Sequence, residues 1–466
     1  MQHEHQQNLY NKNLLLTMII LTSFVNPFLG SAVNIALPKI STDFSMNAVT
    51  MSWVSMSFLL SSAVFLVPLG KLADIIGRKR IFITGNVIIT IASLLCAFAP
   101  TGGILIAFRV LQGIGSAMMF GTGMAIITSA FPAHERGKAI GISVSAVYIG
   151  LSVAPLLGGF LTQTLGWRSL FFITIPVGIF VVIAAALSIK TEWAEAKHES
   201  FDIKGAVLYM VSVTALMYGF SKLPENIPIA LTIAGLIGLA FFVYVELKAE
   251  FPVLNIHLFR GNRIFAFSNL AALINYAATF AITFILSLYL QYIKGLDPRQ
   301  AGTVLVTQPL VMAFFASFAG KLSDRHDSQI LASLGMGIIV VGLFLLSFLA
   351  EFTPIWFIVI SLIVLGSGFG LFSSPNTNSI MSSVEKKYLG VASATVGTMR
   401  LSGQMMSMGL ATMILHIFMG DSNVNVTNHS SFMSSVRVIF ILFTVLCFLG
   451  VFASLARGKK EAQMQG

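Results

Sequence analysis

The sequence predicts an all-α membrane protein that crosses a bilayer fourteen times. Three observations predict it. Of 466 residues, 56% are apolar and 10% are charged, against about 25% charged in soluble domains. A chain this apolar cannot cover itself with polar surface, so lipid is part of its solvent. The apolar residues fall in fourteen runs, each long enough or nearly so to span ~30 Å of hydrocarbon. The lysines and arginines collect on alternate loops, twenty on one side against five on the other, which places both termini in the cytoplasm. Helix is the form because lipid offers no partner to a bare peptide group.

The elements follow in order. Residues 1–12 are a polar tail. The first run, 13–36, has no small-residue cleavage site and reads as a retained helix. Runs at 49–70, 81–100, 103–127, 139–161 and 169–189 follow, then a polar stretch. The run 203–221 is the weakest and admits a re-entrant reading; 228–247 pairs with it. Six more lie at 264–291, 301–321, 329–350, 354–376, 389–417 and 434–455, before a polar tail at 456–466. A short repeat links the halves. Gly70-Lys-Leu-Ala-Asp74 follows the second run, and Gly320-Lys-Leu-Ser-Asp324-Arg325 follows the tenth, 250 residues later. Both fall on the cytoplasmic side, which suggests two related bundles.

Composition excludes several functions. The +10 formal charge sits in short loops and reads as topology, so no nucleic acid is expected. Cys96 and Cys447 lie in apolar runs, without the spacing of a metal site or disulfide framework. No cofactor and no metal are expected. Clustered nucleophiles and phosphate-binding loops are missing, so the chain is not expected to be an enzyme. Sequons at Asn425 and Asn428 lie on an outer loop.

Four groups of residues carry the expected mechanism. In the loop after the second run, Gly70, Asp74, Gly77 and Arg78 combine tight-turn glycines with opposite charges, a pattern that suits a conformational latch. Asp324 and Arg325 are its counterpart in the second half. Arg109 lies in the fourth run; a guanidinium in hydrocarbon stays charged and needs partners. Gln112 is one turn away. In the fifth run, Gly150, Pro155, Gly158 and Gly159 suit a hinge or sliding contact, with static packing as the alternative. Asn34, Gln112, Tyr148, Asn275, Tyr276, Gln308, Asn376, Arg400 and Gln404 are the candidate lining of a substrate cavity. No acid sits at the middle of a run. Asp43, Glu246 and His416 are therefore the titratable candidates for proton coupling, with Arg109 as the charge that tunes it.

These motifs resemble the fourteen-helix drug:proton antiporters of the major facilitator superfamily. Gly70–Arg80 looks like the signature loop between spans 2 and 3. Arg109–Gly115 looks like the span-4 arginine motif. Gly150–Gly159 looks like the span-5 antiporter motif, with Ala154 at its usual second glycine. Ser31–Pro38 also looks familial, and Leu29 stands where many relatives place an acid. The resemblance covers essentially the whole chain. It implies a six-helix bundle over 13–189, two additional spans in the linker 190–255, and a second six-helix bundle over 256–455. It also implies a cell-membrane protein, functional as a monomer, that exports lipophilic, often cationic compounds in exchange for protons. Arg109 would aid coupling and Asp74 would stabilise the outward-open state. Lacking mid-membrane acids and retaining Arg109 and Arg400, the chain also fits a uniporter or an exporter of an anionic metabolite or lipid-like molecule.

Overall fold

The computed structural model describes residues 10–254, 259, 261–323, 327–384, 389–420 and 429–457. Asp324, Arg325, Asn425 and Asn428 lie outside the described residues. Among those described are fourteen helices long and apolar enough to cross a membrane, and no strand. They are α1 (Lys12–Phe44), α2 (Ala48–Ile76), α3 (Arg78–Ala97), α4 (Gly102–Ala130), α5 (Ala133–Thr164), α6 (Ser169–Ser188) and α7 (Ile203–Ser221). Then come α8 (Asn226–Glu246), α9 (Arg263–Ile293), α10 (Pro298–Gly320), α11 (Ser328–Leu346), α12 (Ile355–Ser382), α13 (Leu389–Met419) and α14 (His429–Leu455). Each expected run has its helix. The weakest, 203–221, is a continuous helix of 19 residues.

Local chemistry sets several helix starts. Asn11 accepts from the backbone N–H groups of Asn13 and Leu14, Asn47 from Thr50, Asp202 from Gly205 and Asn262 from Phe265. These satisfy donors that a helix N-terminus leaves unpaired. A capping box of Asp297 and Gln300 opens α10, with Pro298 in its first turn. Three helices are broken in ways the apolar pattern hides, α6 among them, at Ile173. In α9 the helix is interrupted at Phe280–Ala281 and closes in a π-helical turn, Tyr289–Ile293. In α10 it is interrupted at Val306, just before Pro309, whose ring and missing N–H disrupt the preceding turn.

Helices α1–α6 pack on one another, chiefly α1 on α5 and α4 on α2 and α3; α9–α14 do likewise, chiefly α12 on α10 and α11 and α9 on α13. Small residues bring backbones together without a side chain between them. A Cβ on Gly85 of α3 would lie 2.9 Å from the Gly115 carbonyl oxygen of α4. The same contact recurs between Gly335 of α11 and Gly368 of α12, at 2.7 Å. Gly335 stands 250 residues after Gly85, the offset of the loop repeat. The two groups of helices meet along two seams, α2 with α13 and α5 with α10, and α9 also touches α1. Helices α7 and α8 form a hairpin, and α7 lies against both α2 and α13. On α8, Ile233, Leu236, Ile237 and Phe241 are exposed, as a face solvated by lipid requires. The starts of α1 and α5 meet through Lys12 and Glu135, and those of α9 and α11 reach the end of α14. Both described termini thus lie at one end of the molecule, called here the terminal end.

Candidate functional site

A cavity of about 1260 Å³, its mouth included, opens between the two groups of helices. Of the expected lining residues, Asn34, Tyr148, Tyr276, Gln308, Arg400 and Gln404 are in its wall. Gln112, Asn275 and Asn376 are not. Gln112 serves Arg109, and Asn376 donates to the Ser268 carbonyl oxygen at 3.2 Å. Asn275 is fully buried. The sequence reading did not single out Phe58, Phe120, Phe369 or Asn26, all in the wall. With Tyr148, Tyr276 and Phe280 the wall has six aromatic rings. Its one charged group among the described residues is Arg400, whose guanidinium lies 4.7 Å from the centre of the Phe120 ring. No carboxylate lines it among the described residues. Amides and hydroxyls from Asn26, Ser31, Ser116, Thr279 and Thr283 complete it.

Arg109 stands beside this cavity, fully buried. Its Nε donates to the Val54 carbonyl oxygen of α2 at 2.9 Å, and its Nη1 to Gln112 Oε1 at 2.5 Å. Gln112 in turn donates to Ser93 of α3 at 2.8 Å. The guanidinium lies 4.3 Å from the centre of the Phe58 ring, a cation–π contact strengthened by the lack of water. Phe58 thus touches both the buried charge and the cavity. Nη2 has no hydrogen-bond partner among the described residues. The other coupling candidates are elsewhere. Asp43 is at the opposite end, where Trp167 Nε1 donates to it at 2.8 Å and Arg168 lies 3.9 Å away. Glu246 is at the base of the α7–α8 hairpin, and His416 lies 3.5 Å from Glu225 at the hairpin's other end. These groups do not form one site with Arg109.

At the end away from the termini, backbone contacts close the seam between α5 and α10. A Cβ on Gly159 of α5 would lie 2.3 Å from the Pro298 carbonyl oxygen of α10, and one on Gly302 of α10 2.2 Å from that of Pro155. Gly150 and Gly158 face α1 instead, against Phe24 and Ala32. Along the other seam, Thr412 of α13 donates to Ser52 of α2 at 2.9 Å. The π-helical turn carries Gln291 to the Ile35 carbonyl oxygen of α1 at 3.0 Å. Nearer the middle, the Tyr148 and Ser373 hydroxyls meet at 2.6 Å, and Ser152 donates to the Pro309 carbonyl oxygen at 3.1 Å.

The chain has counterparts among known proteins. The profile of the Major Facilitator Superfamily matches residues 19–400 and 268–465. The chain belongs to that superfamily. As a major facilitator, it is 31% identical over 444 residues to the riboflavin transporter RibZ of Clostridioides difficile, covering 94% of this chain and 96% of the relative. It is 30% identical to the multidrug transporter protein MdtP of Bacillus subtilis, over 82% of this chain and 72% of the relative. Its fold is similar to that of a bacterial homologue of the human lysosomal transporter Spinster, solved in an inward-facing and occupied conformation. That match has a TM-score of 0.64 and 18% identity, and covers 96% of both chains. The nucleoside transporter NupG superposes with a TM-score of 0.63 and 13% identity, over 96% of this chain and all of that one.

In this major facilitator the loop between α2 and α3 is strapped down by an acidic segment that the sequence reading passed over as linker. Arg78 is buried. Its Nε donates to Asp74 at 2.7 Å, and its two terminal nitrogens grip Glu195 at 2.7 and 3.1 Å, the two-pronged geometry a guanidinium favours. Glu192 accepts from the Lys79 backbone N–H at 2.8 Å and lies 3.7 Å from Arg80; Glu199 pairs with Lys71. Gly77 has a φ of +123°, a turn that requires glycine, and a Cβ there would lie 2.3 Å from the Glu192 side chain. Trp193 packs edge-on against Tyr10, whose hydroxyl donates to the Ala130 carbonyl oxygen at 2.6 Å. Burial raises the Tyr10 pKa, with Lys12 opposing, so the group stays a donor at neutral pH. Gly70, expected in the turn, lies instead inside α2, where its lack of a side chain lets α4 approach, its Cα 3.4 Å from a Cβ placed on Gly121.

Proposed function

We propose that this transporter carries planar, hydrogen-bonding aromatic solutes of the kind riboflavin exemplifies, uncharged or anionic, by alternating access. One observation carries the reading: among the described residues the cavity wall offers six aromatic rings, amides, hydroxyls and a single guanidinium, with no carboxylate. Rings stack on a flat solute. The amides suit its polar edges, and Arg400 favours a phosphate or carboxylate and opposes a cation. The likeness to RibZ over nearly the whole of both chains supports the same class. In this reading the units 13–189 and 256–455 rock against each other across the cavity, with 190–255 inserted between them. Gly70, Asp74, Gly77 and Arg78, at the junction of α2 and α3, act as latch and the α5 glycines as sliding contacts. The positive-inside bias supports a cell-membrane protein with both termini in the cytoplasm, and the enclosed cavity a monomeric unit.

Uptake into proteoliposomes tests it, with riboflavin, its phosphate ester and a cationic phenanthridinium dye as probes. Arg400→Gln is expected to weaken the phosphate ester about tenfold, the loss of one charge-assisted contact of ~1.5 kcal/mol, and riboflavin less. The dye carried best, with the ester unaffected by Arg400→Gln, would overturn the reading. That outcome would favour a second one, proton-driven efflux of lipophilic cations in the manner of the fourteen-helix drug:proton antiporters. Relatives named as multidrug transporters support it, as does Arg109, placed through Phe58 to tune coupling. There, Asp43 and Glu246 would serve opposite ends of the proton's path.

A further inference from the structure

The α7–α8 hairpin takes no part in the cavity, yet it is fastened to both sides of one seam. Tyr209 donates to the Ala63 carbonyl oxygen of α2 at 3.3 Å, and the Tyr218 ring lies 5.7 Å from that of Trp53. Phe220 reaches to 3.3 Å from a Cβ placed on Gly409 of α13. At the hairpin's base Glu246 is only 1% exposed. Its Oε2 accepts from the Leu254 backbone N–H at 2.8 Å. Its Oε1 has no hydrogen-bond partner among the described residues. That oxygen is aimed into a gap over Gly205, where a Cβ would lie 2.5 Å from it and 2.5 Å from Asp202 Oδ2. The other Asp202 oxygen caps α7 by accepting from the Gly205 N–H at 2.9 Å. Glycine at 205 keeps the gap open. Two carboxyl groups thus face one gap over Gly205, and placing like charges so close disfavours ionising both.

We propose that Asp202 and Glu246 share a proton, which fastens the inserted hairpin at its base and leaves Lys71 to the acidic strap. The bound proton sits on one carboxyl, whose O–H donates to the oxygen of the other; on release it passes to water and both groups become anionic. The charged neighbours are Asp202 from α7 and Lys71 from α2, and Lys71 is paired with Glu199. Ionising the pair adds one negative charge beside Lys71, which then competes with Glu199 and loosens residues 190–200 over the loop. The site is independent of which solute the cavity takes, and it gives the hairpin a role in sensing pH.

Two measurements on the purified full chain in lipid nanodiscs test this. Infrared difference spectroscopy across a pH titration should show a protonated-carboxyl stretch at neutral pH, removed by Glu246→Gln and removed or shifted by Asp202→Asn. No such band in the wild type, or one unchanged in either variant, overturns the shared proton. Hydrogen–deuterium exchange of 190–200 should accelerate with pH more steeply than chemical exchange alone, and Glu246→Gln, which cannot ionise, should flatten the excess. An equal excess in that variant overturns the link to the strap.

Discussion

Arg109 illustrates how much a single buried charge demands of its surroundings. It spends two donors on Val54 and Gln112 and its flat face on Phe58. A lysine keeps the charge but has no planar fork and no face to stack. Arg109→Lys should therefore leave at least one of these acceptors unsatisfied, at ~1–3 kcal/mol. It should lower the initial rate of proteoliposome uptake at least tenfold, as should Arg109→Gln. Rescue by lysine but not glutamine would mean that charge alone matters. Arg109 and Gln112 were legible because a guanidinium one turn from an amide, inside an apolar run, has little else to do. The cavity was only partly legible. Phe58, Phe120 and Phe369 are three among 39 phenylalanines, and an apolar ring toward a chamber, a neighbour or lipid has the same signature along the chain. Asn376 misled for the converse reason, since an amide within a span is as apt to bond backbone as to meet a solute; Asn275 is buried away from the cavity, and neither of its amide atoms has a hydrogen-bond partner among the described residues.

Single elements carry the next two expectations. In the strap, Glu195 is 64% exposed and Asp74 38%, whereas Arg78 is 8% exposed. Losing one exposed acid should cost ~0.2–1 kcal/mol, because the other still holds the guanidinium. Losing both strands a buried charge, which costs up to ~3 kcal/mol. Asp74→Asn and Glu195→Gln, singly and together, should thus be non-additive in thermal unfolding, and additive losses would show that each acid acts alone. The acids at 192, 195 and 199 lie in a stretch without helical periodicity, so nothing local tied them to a loop more than a hundred residues earlier. On α5, the glycines were legible as a small-residue stripe, but their partner Gly302 was not, since close backbone approach is a property of two helices. Alanine at 302 would meet the Pro155 carbonyl oxygen at 2.2 Å. Gly302→Ala should loosen the closed end and slow transport. An engineered cysteine at Gln404 should then react faster with a membrane-impermeant thiol reagent added on that side. An unchanged labelling rate would remove the α5–α10 contact as a closure.

For the whole molecule, the repeat at an offset of 250 residues relates α2 to α10, and the two seams follow from it: α2 meets α13, and α10 meets α5. The fourteen spans were legible because lipid makes each crossing a separate, long apolar signal. The seams were not, because pairing between distant helices rests on fit between surfaces. The seams differ in one respect. The α5–α10 seam is closed by bare backbone, while the α2–α13 seam is joined by Ser52 and Thr412 and covered outside by α7. If alternating access requires both seams to part, fixing one must stop the cycle even though no cavity residue is altered. The pair Ser52→Cys and Thr412→Cys offers that test. The native hydroxyls meet at 2.9 Å, and the native thiols, Cys96 and Cys447, are fully buried. Mild oxidation should link the new thiols, abolish net uptake while leaving solute binding, and be reversed by reductant. Full turnover in the linked protein would mean that the two halves do not separate along α2 and α13, and that the solute takes a path other than the chamber between them.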